Sequence, residues 1–363
     1  MSAKSSLTGF SERLLAWHKL HGRHDLPWQK PAGDPYRVWV SEIMLQQTQV
    51  ATVIPYFQKF MQRFPRIEDL ASATESEVLA LWSGLGYYAR ARNLLKCAQA
   101  VVYDHHAHFP ETSSALAKLP GIGPSTAAAI ASTVYGERAA ILDGNVKRVL
   151  ARLVCATEPW GSLQLHDRLM PVADALLPVD PNLMPAYTQA IMDLGATVCT
   201  ARSPNCGVCP VKENCCAFQK NRVADFPAPK VLQTIKSQEL FWVIPRTQKT
   251  VWLSQRPSRG IWGGLWTPWQ LDLKNMPQNW ARLRALLTEE HRISHRLTHR
   301  DLRISVAVMD LDARTPSEIK KLISGLPVTL REFSWQEAFN QALPSPVKKL
   351  LLTLYPFGKA RGV

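Results

Sequence analysis

A chain of 363 residues, 46% apolar and 20% charged, is long for one compact core and leads us to expect two folded units of ordinary globular composition. Its 43 Lys and Arg against 29 Asp and Glu leave a formal charge of +14, which favours a polyanionic partner through counterion release. No stretch approaches the roughly 18 apolar residues of a membrane span, and the first residues, MSAKSSLTGFSERLLAWHKL, lack the apolar core of an export signal, so the expectation is a cytoplasmic protein with no membrane partner.

From residue 7 to about residue 220 the apolar spacing is helical, with no long period-two alternation. Glu42 lies in 36–50, where Val38, Trp39, Val40, Ile43, Met44 and Leu45 leave little polar surface and Gln46 and Gln49 share its face. Two readings stay open: an exposed polar stripe, or a buried carboxyl with a raised pKa that serves as a general acid. Cys97 and Cys155 lie alone in apolar helical patterns and read as buried structural thiols. A helical run over 113–118 meets Leu119-Pro-Gly-Ile-Gly-Pro124, a tight turn with Pro124 at a first helical position. Gly121 and Gly123 let backbone N–H groups approach a phosphate, the alternative being a plain helix–helix turn. Asp143 precedes the stripe Val146, Val149, Leu150 and Leu153, so it is an expected helix cap, and a carboxylate there stays ionised and suits stabilising a cation.

Cys199, Cys206, Cys209 and Cys215 put four thiols into one loop, with gaps of six, two and five residues. Structural zinc sites bring two close pairs together, whereas only one pair here has the two-residue gap, so iron–sulfur ligation is the better reading. Cys216 follows the last ligand directly and is left out of the ligand set. Arg202, Lys212, Pro204 and Pro210 share the loop, which a metal centre would hold as a basic segment suited to phosphate.

Residues 222–238, RVADFPAPKVLQTIKSQ, have no period and read as a linker. Beyond it Leu240-Phe-Trp-Val-Ile, Val251-Trp-Leu and the alternation Leu302, Ile304, Val306, Val308 read as strands, and Ser334-Trp-Gln-Glu337 is a capping box. This half is expected to be α+β.

Taken together, Ser41-Glu42-Ile-Met-Leu-Gln-Gln-Thr48-Gln-Val, Gly84-Leu-Gly-Tyr87-Tyr-Ala-Arg, Leu119-Pro-Gly-Ile-Gly, Leu142-Asp143-Gly-Asn145-Val and the cysteine loop resemble, in order, the MutY adenine DNA glycosylases of the helix-hairpin-helix superfamily. The resemblance implies a mainly α catalytic region over 1–221, made of two helical subdomains with an iron–sulfur loop holding one 4Fe-4S cluster. A linker over 222–238 and a Nudix-like domain over 239–357 that reads 8-oxoguanine would follow. It implies double-stranded DNA with 8-oxoguanine:A or G:A mispairs as partner, a monomer, base flipping, Glu42 as the acid that protonates adenine, and Asp143, supported by Asn145, as stabiliser of the oxocarbenium ion. Gln47 and Tyr87 match family residues that wedge into the stack, Gly121, Gly123 and Ser125 belong to the DNA-binding hairpin, and Trp28 and Gln189 match the adenine pocket.

An endonuclease III-like pyrimidine glycosylase shares the hairpin, the Asp and the cysteine spacing. That relative carries a nucleophilic lysine where this chain has Ser125, and it lacks the long region beyond the cluster. The stretch Gln255-Arg-Pro-Ser-Arg-Gly-Ile-Trp-Gly-Gly-Leu-Trp266 resembles a Nudix domain without the acidic hydrolase helix. The family's Phe-Ser-His lesion reader has Leu297-Thr298-His299 as its best match. This departs from the pattern by keeping a hydroxyl and an imidazole at Thr298 and His299 but losing the aromatic wedge.

Overall fold

The computed structural model describes residues 8–230, 235–272 and 280–356. The helices in chain order are α1 (Phe10–His21), α2 (Pro35–Leu45), α3 (Val50–Arg63), α4 (Ile67–Ala71), α5 (Glu75–Leu81), α6 (Ala89–Asp104), α7 (Ser113–Leu116), α8 (Pro124–Tyr135), α9 (Gly144–Leu153), α10 (Leu163–Ala175), α11 (Met184–Asp193) and α12 (Cys216–Gln219). They precede β1 (Lys236–Arg246), β2 (Thr250–Gln255), β3 (Trp266–Thr267), β4 (Trp269–Leu271), α13 (Trp280–Arg284), β5 (Leu287–Leu297), β6 (Arg300–Asp310), α14 (Pro316–Ser324), β7 (Arg331–Ser334), α15 (Trp335–Phe339) and α16 (Ser345–Leu354). The chain divides into two units, Met1–Ala73 with Asn93–Leu232, and Thr74–Arg92 with Gln233–Val363.

In the first unit α9 shows how local sequence and packing agree. Asp143 caps it by accepting the Val146 N–H at 2.8 Å. Its stripe Val146, Val149, Leu150 and Leu153 is buried against Phe10 and Leu14 of α1, Leu165 and Leu169 of α10 and Tyr187 and Ile191 of α11. Each such side chain contributes on the order of 1.5–3 kcal/mol by leaving water. The hairpin between α7 and α8 is equally local in origin. Thr112 caps α7, the Glu137 carboxylate accepts from Ser113 N and Oγ at 2.5 and 2.6 Å, and Pro124 opens α8. At Gly121, φ is 78° and an added Cβ would lie 2.5 Å from the Asn93 Cβ, so only glycine fits the turn.

The second unit is built on a seven-stranded mixed sheet with path β3-β2-β1-β6-β5, to which β4 adds on β1 and β7 on β2. β1 and β6 run parallel in unbroken register from Lys236↔Arg300 to Arg246↔Asp310, while β5 and β6 form an antiparallel hairpin. Alternation places Leu240, Trp242 and Ile244 on one face with Trp335, Val347 and Leu351 of α15 and α16. Val243 and Met309 take the other face, where Leu283 of α13 and Ile319 and Ile323 of α14 cover them. The expected helical region followed by a sheet-containing domain is what the chain forms.

Two expectations need correction. β1 starts at Lys236, inside the expected linker, because its first residues are held by backbone pairing to β6, which no local pattern announces. Residues 231–234 of that linker and residue 357 of the expected domain lie outside the described residues. Cys155 is not an isolated buried thiol: it sits past the end of α9, half-buried, and is joined to Cys216. Cys97 is buried as expected. Among the described residues no helix is long and apolar enough to cross a membrane.

Candidate active site

Glu42 is carried on α2 between buried Ser41 and Ile43. Part of the residue's surface stays accessible, but the carboxyl is enclosed by protein, and desolvation with the nearby charge of Asp143 raises its pKa to about 7. The carboxyl is therefore buried with a raised pKa, the condition that the general-acid reading sets, and the residue is not part of an exposed polar stripe. Asp143 stands at the N-terminus of α9. Burial pushes its carboxyl above the usual range, and this is opposed by the Val146 N–H, the Asn145 amide at 3.3 Å and the charge of Arg148. The two carboxyls thus occupy one desolvated region, and among the described residues the hydrogen-bond donors stand on the Asp143 side of the pair.

Asn145 is itself held. Its Oδ1 accepts from Arg148 Nη2 at 2.8 Å, and the same guanidinium donates to the carbonyls of Gly195 at 2.6 Å and Cys199 at 2.8 Å. Gly195 permits this closeness, because a Cβ there would lie 2.7 Å from Asn145 Cβ and 2.9 Å from its carbonyl oxygen. Gly195→Ala is expected to cost about 1–3 kcal/mol through overpacking and to displace Asn145. Thermal unfolding beside single-turnover rates checks this, and an unchanged melting temperature would refute it.

One turn on, Arg152 is 2% exposed and donates to the carbonyls of Phe226, Cys199, Thr200 and Ala201 and to Cys199 Sγ at 3.2 Å. The four cysteines follow in a loop of short turns, all half-buried. Burial raises the thiols of Cys206, Cys209 and Cys215, and each is raised further by the charge of neighbouring cysteines, so their sulfurs face one another. Backbone N–H groups of Val211, Ala217 and Phe218 point at Cys209 and Cys215. Cys206, Cys209 and Cys215, which burial and mutual repulsion keep from ionising together, lie beside Cys199 with donors already aimed at two of the sulfurs, a donor set that a cationic iron–sulfur core completes. Among the described residues no three His, Cys, Asp or Glu side chains converge on a site for a single metal ion.

The remaining expected residues are placed as follows. Gln47 and Tyr87 are both exposed and both in the left-handed region, with φ of 58° and 50°, a conformation non-glycine residues keep at a cost of about 1–3 kcal/mol. Tyr87 Oη lies 3.1 Å from Thr298 Oγ1, and Thr298 and His299 form the exposed two-residue turn between β5 and β6. Gly123 has open space where a Cβ would be. Ser125, expected at the DNA, accepts the Leu142 N–H through Oγ at 3.3 Å and so ties the hairpin to the residue before Asp143. Trp28 is buried edge-on against Phe57, while Gln189 donates to Asp193 at 2.7 Å; the two occupy separate contacts.

Sequence reading missed Asp193. It is fully buried, and although burial alone would raise it, the His18 ring 3.5 Å away and hydrogen bonds from Arg23 hold its carboxyl below the ordinary range. It thereby orients Gln189. Arg148 and Arg152 were missed too; their four-residue spacing, with Arg152 inside an apolar stripe, was the available signal.

Residues 40–161 match the model of HhH-GPD superfamily base excision DNA repair proteins, 199–215 the iron-sulfur binding domain of endonuclease III, and 240–353 the NUDIX domain. The adenine DNA glycosylase of Buchnera aphidicola subsp. Schizaphis graminum is 33% identical over 94% of this chain and 97% of its own. The chain belongs to the adenine DNA glycosylase family. The glycosylase of Rattus norvegicus is likewise 33% identical, over 95% of this chain and 78% of its own. A thermostable thymine-DNA glycosylase superposes with a TM-score of 0.51 at 26% identity, covering 60% of this chain and 98% of its own. An endonuclease III in a non-covalent DNA complex superposes equally well at 20% identity over 61% of this chain and 99% of its own, and shares the fold. The present glycosylase is thus a base excision repair enzyme, and its loop over residues 199–215 carries a 4Fe-4S cluster.

Proposed function

We propose that this glycosylase hydrolyses the N-glycosidic bond of adenine opposite 8-oxoguanine or guanine in duplex DNA, with residues 1–221 performing the chemistry and 239–357 reading the opposite base. The observation that carries the reading is the pairing of Glu42, half protonated near pH 7, with Asp143, whose capping bonds favour the anion. Once the nucleotide is flipped out, Glu42 gives its proton to adenine N7, and the base leaves as a neutral species. Asp143, oriented by Asn145, stabilises the oxocarbenium charge left on the sugar, and water completes the substitution. Ser125 offers no amine for a Schiff base, so the strand is left uncut. Cys199, Cys206, Cys209 and Cys215 would hold the cluster, which would fix the shape of the basic loop around Arg202 and Lys212; Arg152 grips that loop from α9.

Single-turnover assays on duplexes carrying 8-oxoguanine:A, G:A or an oxidised pyrimidine test the assignment. Adenine release from the first two is expected, and release of the pyrimidine but not adenine would sink it. For the reading turn, Thr298→Val removes the hydroxyl bonded to Tyr87, and loss of one hydrogen bond of about 0.5–1.5 kcal/mol is expected to narrow the preference for 8-oxoguanine:A over G:A severalfold, up to about tenfold. An unchanged ratio removes Thr298 from the reading role.

A further inference from the structure

Neither catalysis nor cluster ligation uses Cys155 and Cys216. Cys155 follows α9, the helix that begins beside Asp143, and Cys216 opens α12 directly after the ligand Cys215. They are 61 residues apart in sequence, yet their Cα atoms lie 5.7 Å apart and the sulfurs are joined as a disulfide. That separation is within the range a disulfide bridges without backbone movement. Both residues are half-buried and therefore within reach of a small oxidant, whereas Cys97 is sealed in the core. Between their elements Arg152 donates to the loop carbonyls and the Cys215 thiol meets the Arg152 carbonyl at 3.5 Å, so a bond between Cys155 and Cys216 ties together segments that are already packed.

We propose that Cys155 and Cys216 form a peroxide-reactive modification site: a dithiol that hydroperoxides convert to a disulfide stapling the end of α9 to the cluster loop, which spares the four ligating cysteines. One sulfur attacks a peroxidic oxygen, the O–O bond breaks, and an alcohol, or water from hydrogen peroxide, departs to leave a sulfenic acid. The second thiol attacks that sulfur, the S–S bond forms, and the sulfenic oxygen leaves as water. Two thiols and one hydroperoxide are consumed, and no electron is drawn from the cluster. In a reducing compartment the bond is transient and returns to thiols by exchange. The staple also occupies Cys216, the cysteine next to Cys215, and so removes a competitor for iron and for mixed disulfides.

The test uses the full-length holoprotein treated with one equivalent of hydrogen peroxide, alkylated without reduction and digested for mass spectrometry, with the cluster's visible absorption followed in parallel. The expected result is a peptide pair joining Cys155 to Cys216, reversible by dithiothreitol, with absorption retained. Cys155→Ser and Cys216→Ser should each abolish the linked pair and bleach severalfold faster at the same dose. Full alkylation of Cys155 and Cys216 in wild-type protein whose cluster has bleached overturns the proposal, as does linkage of Cys216 to a ligating cysteine. Bleaching of both variants at the wild-type rate overturns the sparing role. The wild-type digest decides the site even where a variant fails to fold.

Discussion

Glu42→Gln is expected to slow single-turnover release of adenine by about 10²–10⁴, the range a positioned general acid contributes. Glutamine keeps the size and the hydrogen-bonding reach of the side chain but cannot deliver a proton. The pH dependence separates this from a packing defect. With its pKa raised to about 7, Glu42 is protonated at lower pH and loses its proton as pH rises through that value, so the wild-type rate is flat below the transition and falls about tenfold per unit above it. In the variant that limb should vanish. A wild-type rate that climbs through pH 7 would take the acid role away from Glu42.

Asp143→Asn is expected to cost at least as much, on the order of 10²–10³ for one electrostatic contact to developing charge and more if the carboxylate attacks the sugar directly. The amide can still accept from Val146 N, so α9 should keep its cap and the melting temperature should fall by no more than the fraction of a kcal/mol between good capping residues. The two side chains are also coupled. Part of the elevation at Glu42 comes from the charge of Asp143, so in Asp143→Asn the remaining alkaline limb should move to lower pH, while desolvation, the larger cause, keeps it above an ordinary glutamate. Residual activity whose limb stays at the wild-type position would show that the carboxyls do not sense one another.

Local patterns were legible because they are decided within a turn or two of chain. The cap at Asp143, the stripe of α9, the capping box at Ser334 and Glu337, and Pro124 at the head of α8 all follow from neighbours in sequence. The pairing of carboxyls was legible only as a condition, since the burial of Glu42 depends on what packs over α2. Other features are set by segments far apart in the chain. The 74–92 stretch groups with residues beyond 233, where Tyr88 Oη and Ser83 Oγ both donate to the Leu343 carbonyl. Ser125 turns to Leu142, Arg148 spans from Asn145 to Cys199, and Cys155 finds Cys216. Apart from the four-residue spacing of Arg148 and Arg152, these leave no period to read; each needs the folded chain to bring its partner.

The parallel register of β1 and β6 has a practical consequence for labelling. Lys236 stands opposite Arg300, so the residue at which the chain enters the sheet and the turn at Thr298 and His299 share one end. The other end is marked by Arg246, its ion pair with Asp310, and the exposed Gln248 and Lys249. Eleven strand residues at about 3.3 Å each put the two ends roughly 35 Å apart. A fluorophore on a cysteine introduced at Lys249 would therefore report on tumbling and complex formation from the far edge of the sheet, without crowding the turn at Thr298 and His299.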